Sequence, residues 1–235
     1  MVRAGFLSLA LLLAGCGGTA DDASPPAPAD AAISDALADP IMTDPDLVSQ
    51  NGAYSAVMVS GPVSSALPPI ARDAAAVGAA RDEASDLLGG TIPAVPAPAS
   101  GNLKPFREAV TASQMAGAAA IASRACIQGA AYTARWAAVL PGPLQVYPRG
   151  AVEDAAGTDA GGCALRVVHF KTAVAADDVL AFHHARLRAA AYPVEHVADG
   201  ENHLLRGRKG GVSYAIYVRK AEDGLTAGDI VVAGR

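Results

Sequence analysis

Two imidazoles and three carboxylates crowd one short stretch near the C-terminus: Glu195, His196, Asp199, Glu201 and His203. These are the donor types that zinc and copper take, so His196 and His203 are the candidate ligands for any metal chemistry here. The same stretch reads as a turn around Gly200, between a helical and a strand-like segment, where polar residues are expected without any function. His183 and His184 are adjacent, which on a helix sets them roughly 100° apart. They cannot clamp one ion together; one should border the core and the other face water. His169 falls opposite the Phe170 face of a strand-like run and reads as a solvated residue. Arg206, Arg208 and Lys209, with Arg219 and Lys220 beyond, suit an anionic partner such as lipid headgroups or an acidic polysaccharide. They suit better a charged turn that resists edge pairing. No H-E-x-x-H, G-x-S-x-G, phosphate loop or dinucleotide fingerprint is present, so no catalytic residue and no cofactor is expected.

The elements that would position these residues lie in the second half of the chain. Large core formers are scarce before residue 100 and concentrated after it. Charge divides at the same place. From Cys16 to Ser100 two basic residues face eleven acidic ones, a net of −9; from Gly101 to Arg235 fifteen basic residues face twelve acidic, a net of +3. Neither half carries the concentrated basic stripe of a nucleic-acid binder. Residues 16–101 are expected to be an acidic, Ala/Pro-rich tether with short helices, largely disordered. Within it, Ala31 to Leu47 carries helical signals and two Asp-Pro turns, and Ala71 to Leu88 is a helix with little to bury. The spacer GGTIPAVPAPASG closes this half.

Residues 102–235 are expected to form a small α+β domain. Leu103 to Arg124 reads as one helix with Phe106, Val110, Met115 and Ile121 toward the core. Pro143 to Pro148 reads as an extended piece at a sheet edge. Cys163 to Val174 is strand-like with Val168 and Phe170 on one face, and Ala176 to Ala190 is helical with Val179, Phe182 and Leu187 on one stripe. Segments at 203–206, 212–219 and 225–233, separated by glycine-containing turns, predict a three-stranded meander. The expected architecture is an antiparallel sheet with a helix packed on one face. Its core should be Val168, Phe170, Phe182, Leu187, Tyr214, Ile216 and Val218.

The address is the clearest message of the N-terminus. Arg3, the apolar run Gly5 to Leu13 and the small residues leading to Cys16 have the layout of a secretory signal over residues 1–15. The run is too short to span a bilayer, which takes about 20 residues. Leu13-Ala14-Gly15-Cys16 resembles the lipobox of bacterial lipoproteins. The resemblance implies cleavage before Cys16 and lipidation of its thiol, with palmitate-type acylation of the new amine. Gly17 in place of aspartate implies delivery to the outer membrane, facing the periplasm. In that oxidising setting Cys126 and Cys163 are expected to form a disulfide, since neither has the spacing of a zinc site.

Four further motifs, WAAVLP (136–141), VYPRG (146–150), AAGTD (155–159) and CALRVVHF (163–170), are similar to a pattern in uncharacterised α-proteobacterial envelope lipoproteins. That resemblance implies architecture and address but no activity. The sequence therefore points to a non-catalytic, lipid-anchored envelope protein, held to membrane lipid through Cys16, whose C-terminal domain binds an envelope partner or ligand. The alternatives are a small periplasmic enzyme or metal-dependent protein using the 195–203 cluster, or a subunit of a larger envelope assembly.

Overall fold

Residues 214–218 are buried at every position of a strand, where a half-wet sheet would bury only alternate ones. A strand buried this way needs cover on both faces. The computed structural model describes residues 69–234, which fall within one compact unit. Its centre is a sheet of β1 (Ala99–Ser100), β2 (Ala131–Tyr132), β3 (Ala151–Thr158), β4 (Leu165–Thr172), β5 (Glu195–Asp199), β6 (Asn202–Lys209), β7 (Val212–Lys220) and β8 (Thr226–Ala233). The strands lie in the order β1-β5-β6-β7-β8-β4-β3-β2. All neighbours are antiparallel except β1 and β5. The α+β class and the β6–β7–β8 meander are those the sequence predicts.

Six α-helices accompany the sheet among the described residues: α1 (Ala74–Leu88), α2 (Lys104–Arg107), α3 (Ala112–Ala119), α4 (Arg124–Gln128), α5 (Arg135–Ala138) and α6 (Ala176–Ala189). On the first face, Val168, Phe170, Tyr214, Ile216 and Val218 bury themselves against Val179, Phe182 and Leu187 of α6. All seven expected core residues belong to this one cluster. Burying each of these side chains contributes roughly 1.5–3 kcal/mol. Tyr147 meets the Phe182 ring edge-on at 5.0 Å, and burial pushes its hydroxyl pKa up to about 12. Phe170 lies over its cross-strand partner Gly228, where an added Cβ would come within 2.3 Å of the ring.

The second face has its own cover. Phe106 of α2 and Met115 and Ala116 of α3 pack on Val167, Leu204, Tyr217 and Val231. The helix expected over Leu103 to Arg124 is broken into pieces. Thr111 and Gln114 form a reciprocal capping box that starts α3 afresh, and Val110, expected in the core, is 84% exposed at the break. Pro143 to Pro148 is not an extended edge: Gly142–Leu144 is a 3-10 turn with proline in its first positions, where a missing N–H costs nothing.

The boundary expected at residues 101/102 falls inside the folded unit. Asp73 caps α1 by accepting from Ala76 N at 2.9 Å, and Gly89 ends it in the left-handed conformation. Ala80 and Ala84 are buried in the first-face cluster, and Val77 and Leu88 pack on its edge. Arg81 pairs with Asp178 of α6 at 2.6 Å, and Glu83 with Arg149 at 2.9 Å. The alanines that made this helix look idle are what let it lie close to its neighbours. The last spacer residues, Ala99 and Ser100, add a strand beside β5. Cys126 and Cys163 are disulfide-bonded, with Cα atoms 5.6 Å apart, which fastens α4 to the entry of β4. The signal segment, Cys16 and the Asp-Pro turns lie outside the described residues.

Candidate functional site

The 195–203 cluster is built on two strands and the tight turn between them, and this parts its members. Ala198 pairs with His203 and His196 with Leu205, so both histidines share the face of Leu205, toward α6. Glu195 and Asp199 alternate onto the other face with Val197. There Asp199 accepts from the Leu103 amide at 3.1 Å and from Arg107 at 2.7 Å. Glu195 is held by two bonds from Arg206, at 2.9 and 2.7 Å, which lower the carboxyl pKa and raise that of the guanidinium. As placed, no three His, Cys, Asp or Glu side chains among the described residues converge as a set of metal ligands. The two histidines do meet: His196 Nε2 and His203 Nδ1 are 3.1 Å apart. His196 Nδ1 lies 2.9 Å from the Pro96 carbonyl. A carbonyl only accepts, so this nitrogen carries the proton, Nε2 is the acceptor, and His203 Nδ1–H donates to it.

His183 lies in the core, whereas His184, the one expected to face water, is only partly exposed. His183 is fully buried with neither ring nitrogen hydrogen-bonded, and burial drives its pKa down to about 3. His184 is half-buried, its pKa lowered by burial, then by Arg188 and His196.

The basic residues do not converge into one patch. Arg206 is taken by Glu195. Arg208 donates to the Gly210 carbonyl at 3.3 Å. Lys209 reaches back to the Ala190 carbonyl at 2.6 Å, over the Tyr192 ring. These contacts fold the charges onto the protein's own turns.

A constellation the sequence reading missed lies on the second face. His169, expected in solvent, is a cross-strand partner of Asp229, and its Nδ1 contacts that carboxylate at 2.7 Å. Asp229 is 4% exposed and also accepts from Arg219. His169 Nε2 is 3.5 Å from Glu153, at the β3 bulge. Lys171 reaches Glu153 at 3.3 Å and Asp223 at 3.0 Å, and the bond to Asp223 is the chief cause of its raised pKa. Tyr217 donates to Asn202 at 2.7 Å beside them. His169, Lys171, Tyr217, Arg219, Asp223 and Asp229 wall a cleft of about 710 Å³, bounded on its other side by residues 107–115. Val110 sits on this wall. Asp229 is held between His169 and Arg219 from the strands on either side, and Lys171 between Glu153 and Asp223, so this part of the lining is held in place before anything enters. The usable signal was period 2: His169 and Lys171 oppose Phe170, Tyr217 and Arg219 oppose Ile216 and Val218, and Asp229 opposes Ile230. They meet only once the strand order is known.

Comparison of the chain with protein-family models, with curated proteins and with solved structures finds no match.

Proposed function

We propose that this chain is a non-catalytic, lipid-anchored protein of the bacterial cell envelope, whose folded domain binds a ligand or partner in the cleft beside Asp229. The observation that carries the binding half is the cleft itself: about 710 Å³, with a polar wall pre-set by Asp229, His169, Arg219 and Lys171 and apolar patches at Met115 and Val167. Pockets of this size, mostly preformed and with few oriented polar groups, are where small ligands and peptide segments are held. Both ring nitrogens of His169 face carboxylates. The contact with Asp229 at 2.7 Å orients the ring within the cleft wall. The resemblance of Leu13 to Cys16 to a bacterial lipobox, and of the 136–170 motifs to α-proteobacterial envelope lipoproteins, support the anchor, with the periplasmic face of the outer membrane as its address.

Metabolic labelling with a palmitate analogue tests the anchor. The wild-type chain should take the label and fractionate with outer membranes, and Cys16→Ser should do neither. Native mass spectrometry of protein extracted from its own membranes tests the binding half. A retained mass should be lost from Met115→Trp, which fills the cleft from α3. An unlabelled wild type contradicts the anchor, and a wild type with no retained mass, or one unaffected by Met115→Trp, contradicts the cleft.

A further inference from the structure

We propose that His196 and His203 form a two-imidazole site for a divalent ion of the copper or zinc class, on the sheet face opposite the Asp229 cleft. The two nitrogens facing each other, His196 Nε2 and His203 Nδ1, are 3.1 Å apart. Two nitrogens each about 2.0–2.1 Å from one ion and 3.1 Å from each other subtend an angle of roughly 100°, between square-planar and tetrahedral values. The remaining positions on such an ion are taken by water from the cleft, which Asp177 also lines.

Two features separate this pair from histidines that are merely neighbours. His196 donates its other nitrogen's proton to the Pro96 carbonyl. That is how metal-bound imidazoles are usually oriented, because it fixes the tautomer with the lone pair on the ligating nitrogen. The bond to His203 aims a second ring nitrogen at that lone pair. The rings meet nearly end to end, centroids 5.3 Å apart, so an ion about 2.0–2.1 Å from both nitrogens sits off the line joining them, and each ring turns by roughly 40° to aim its lone pair at it. The His203 proton moves from Nδ1 to Nε2, and no proton is released overall. Both side chains are only half-buried, so packing does not oppose the movement. The pair lines a cleft of about 460 Å³ between α6 and the proline-rich 92–98 segment, open to solvent. A carboxylate at Asp177 favours a cation there.

The chain has five histidines, so copper itself is a clean probe. Full-length chain bearing Cys16→Ser, to remove the competing thiol, is freed of metal and titrated with Cu(II). One ion should bind per chain, with an electron paramagnetic resonance spectrum showing two equatorial imidazole nitrogens. His196→Gln and His203→Gln should each weaken binding at least tenfold and lose one nitrogen coupling, while His169→Gln changes neither. Zn(II) added to the unmutated histidines should shift the ring C–H resonances of His196 and His203 and leave that of His169 in place, a readout that needs no variant to fold. No stoichiometric binding, a two-nitrogen spectrum that survives both substitutions, or shifts confined to other histidines would overturn the proposal. Because the site lies across the sheet from the Asp229 cleft, its failure leaves the binding reading untouched.

Discussion

His183 is the least comfortable residue in the core. Its ring is fully buried beside Phe170 and Phe182, and neither nitrogen has a hydrogen bond. A buried polar group without a partner costs about 1–3 kcal/mol, so His183→Leu should stabilise the domain at neutral pH by that order. The pH dependence has a definite sign. In the fold the imidazole stays neutral, with a pKa near 3 against 6.5 for a free side chain. Between those values the unfolded chain binds the extra proton. Its contribution to stability is therefore intact above pH 6.5 and falls as the pH drops toward 3, by about 1.4 kcal/mol per unit at the steepest. Denaturant midpoints measured across that window should fall more steeply in the wild type than in His183→Leu. Equal slopes would mean that the ring finds a partner or leaves the core on protonation.

Each strand's residues were readable one by one, yet what they build together was not. Alternation at Val212 to Val218 and the helical stripe at Val179, Phe182 and Leu187 located the first-face core, because burial on one side leaves a clean period. The second face escaped because its cover is short and alanine-rich: α2 and α3 carry few large side chains, and one capping box cuts the expected helix in two. β3 escaped for a similar reason, since Ala155, Ala156 and Gly157 have little strand propensity of their own and owe their place to pairing with β4. The pair His196 and His203 was named as a candidate from composition, but the turn assigned to 195–199 is a strand, and only strand register brings the two rings together. The disulfide was legible from compartment and count. It spans a sequence separation of 37 residues, which in the chain-entropy view is worth about 4 kcal/mol. Cys126→Ser with Cys163→Ser should lower the unfolding free energy by about 2–4 kcal/mol, read from urea titrations. Addition of reductant to the wild type should reproduce the loss.

At the level of the whole molecule, composition placed the start of the folded domain too late in the chain. Ala and Pro richness between 74 and 101 looks like a linker, but α1 buries small side chains in the core and Ala99–Ser100 extends the sheet. A fragment starting at residue 102 should therefore melt well below one starting at residue 67, or expose enough core to aggregate, while the longer fragment melts with a single cooperative transition. Matching midpoints would show that α1 only rests on the surface. The same architecture bears on the proposed binding. A sheet sealed on both faces is stiff, and that stiffness holds the charged lining around Asp229 in position. The most direct measurement is photocrosslinking in living cells, with benzoylphenylalanine placed at Val110 on the cleft wall or at Leu87 on the opposite layer, both exposed. A cleft that binds predicts one discrete adduct from Val110, weakened by Met115→Trp, and none from Leu87; no adduct from Val110, or the same adducts from both positions, would contradict it.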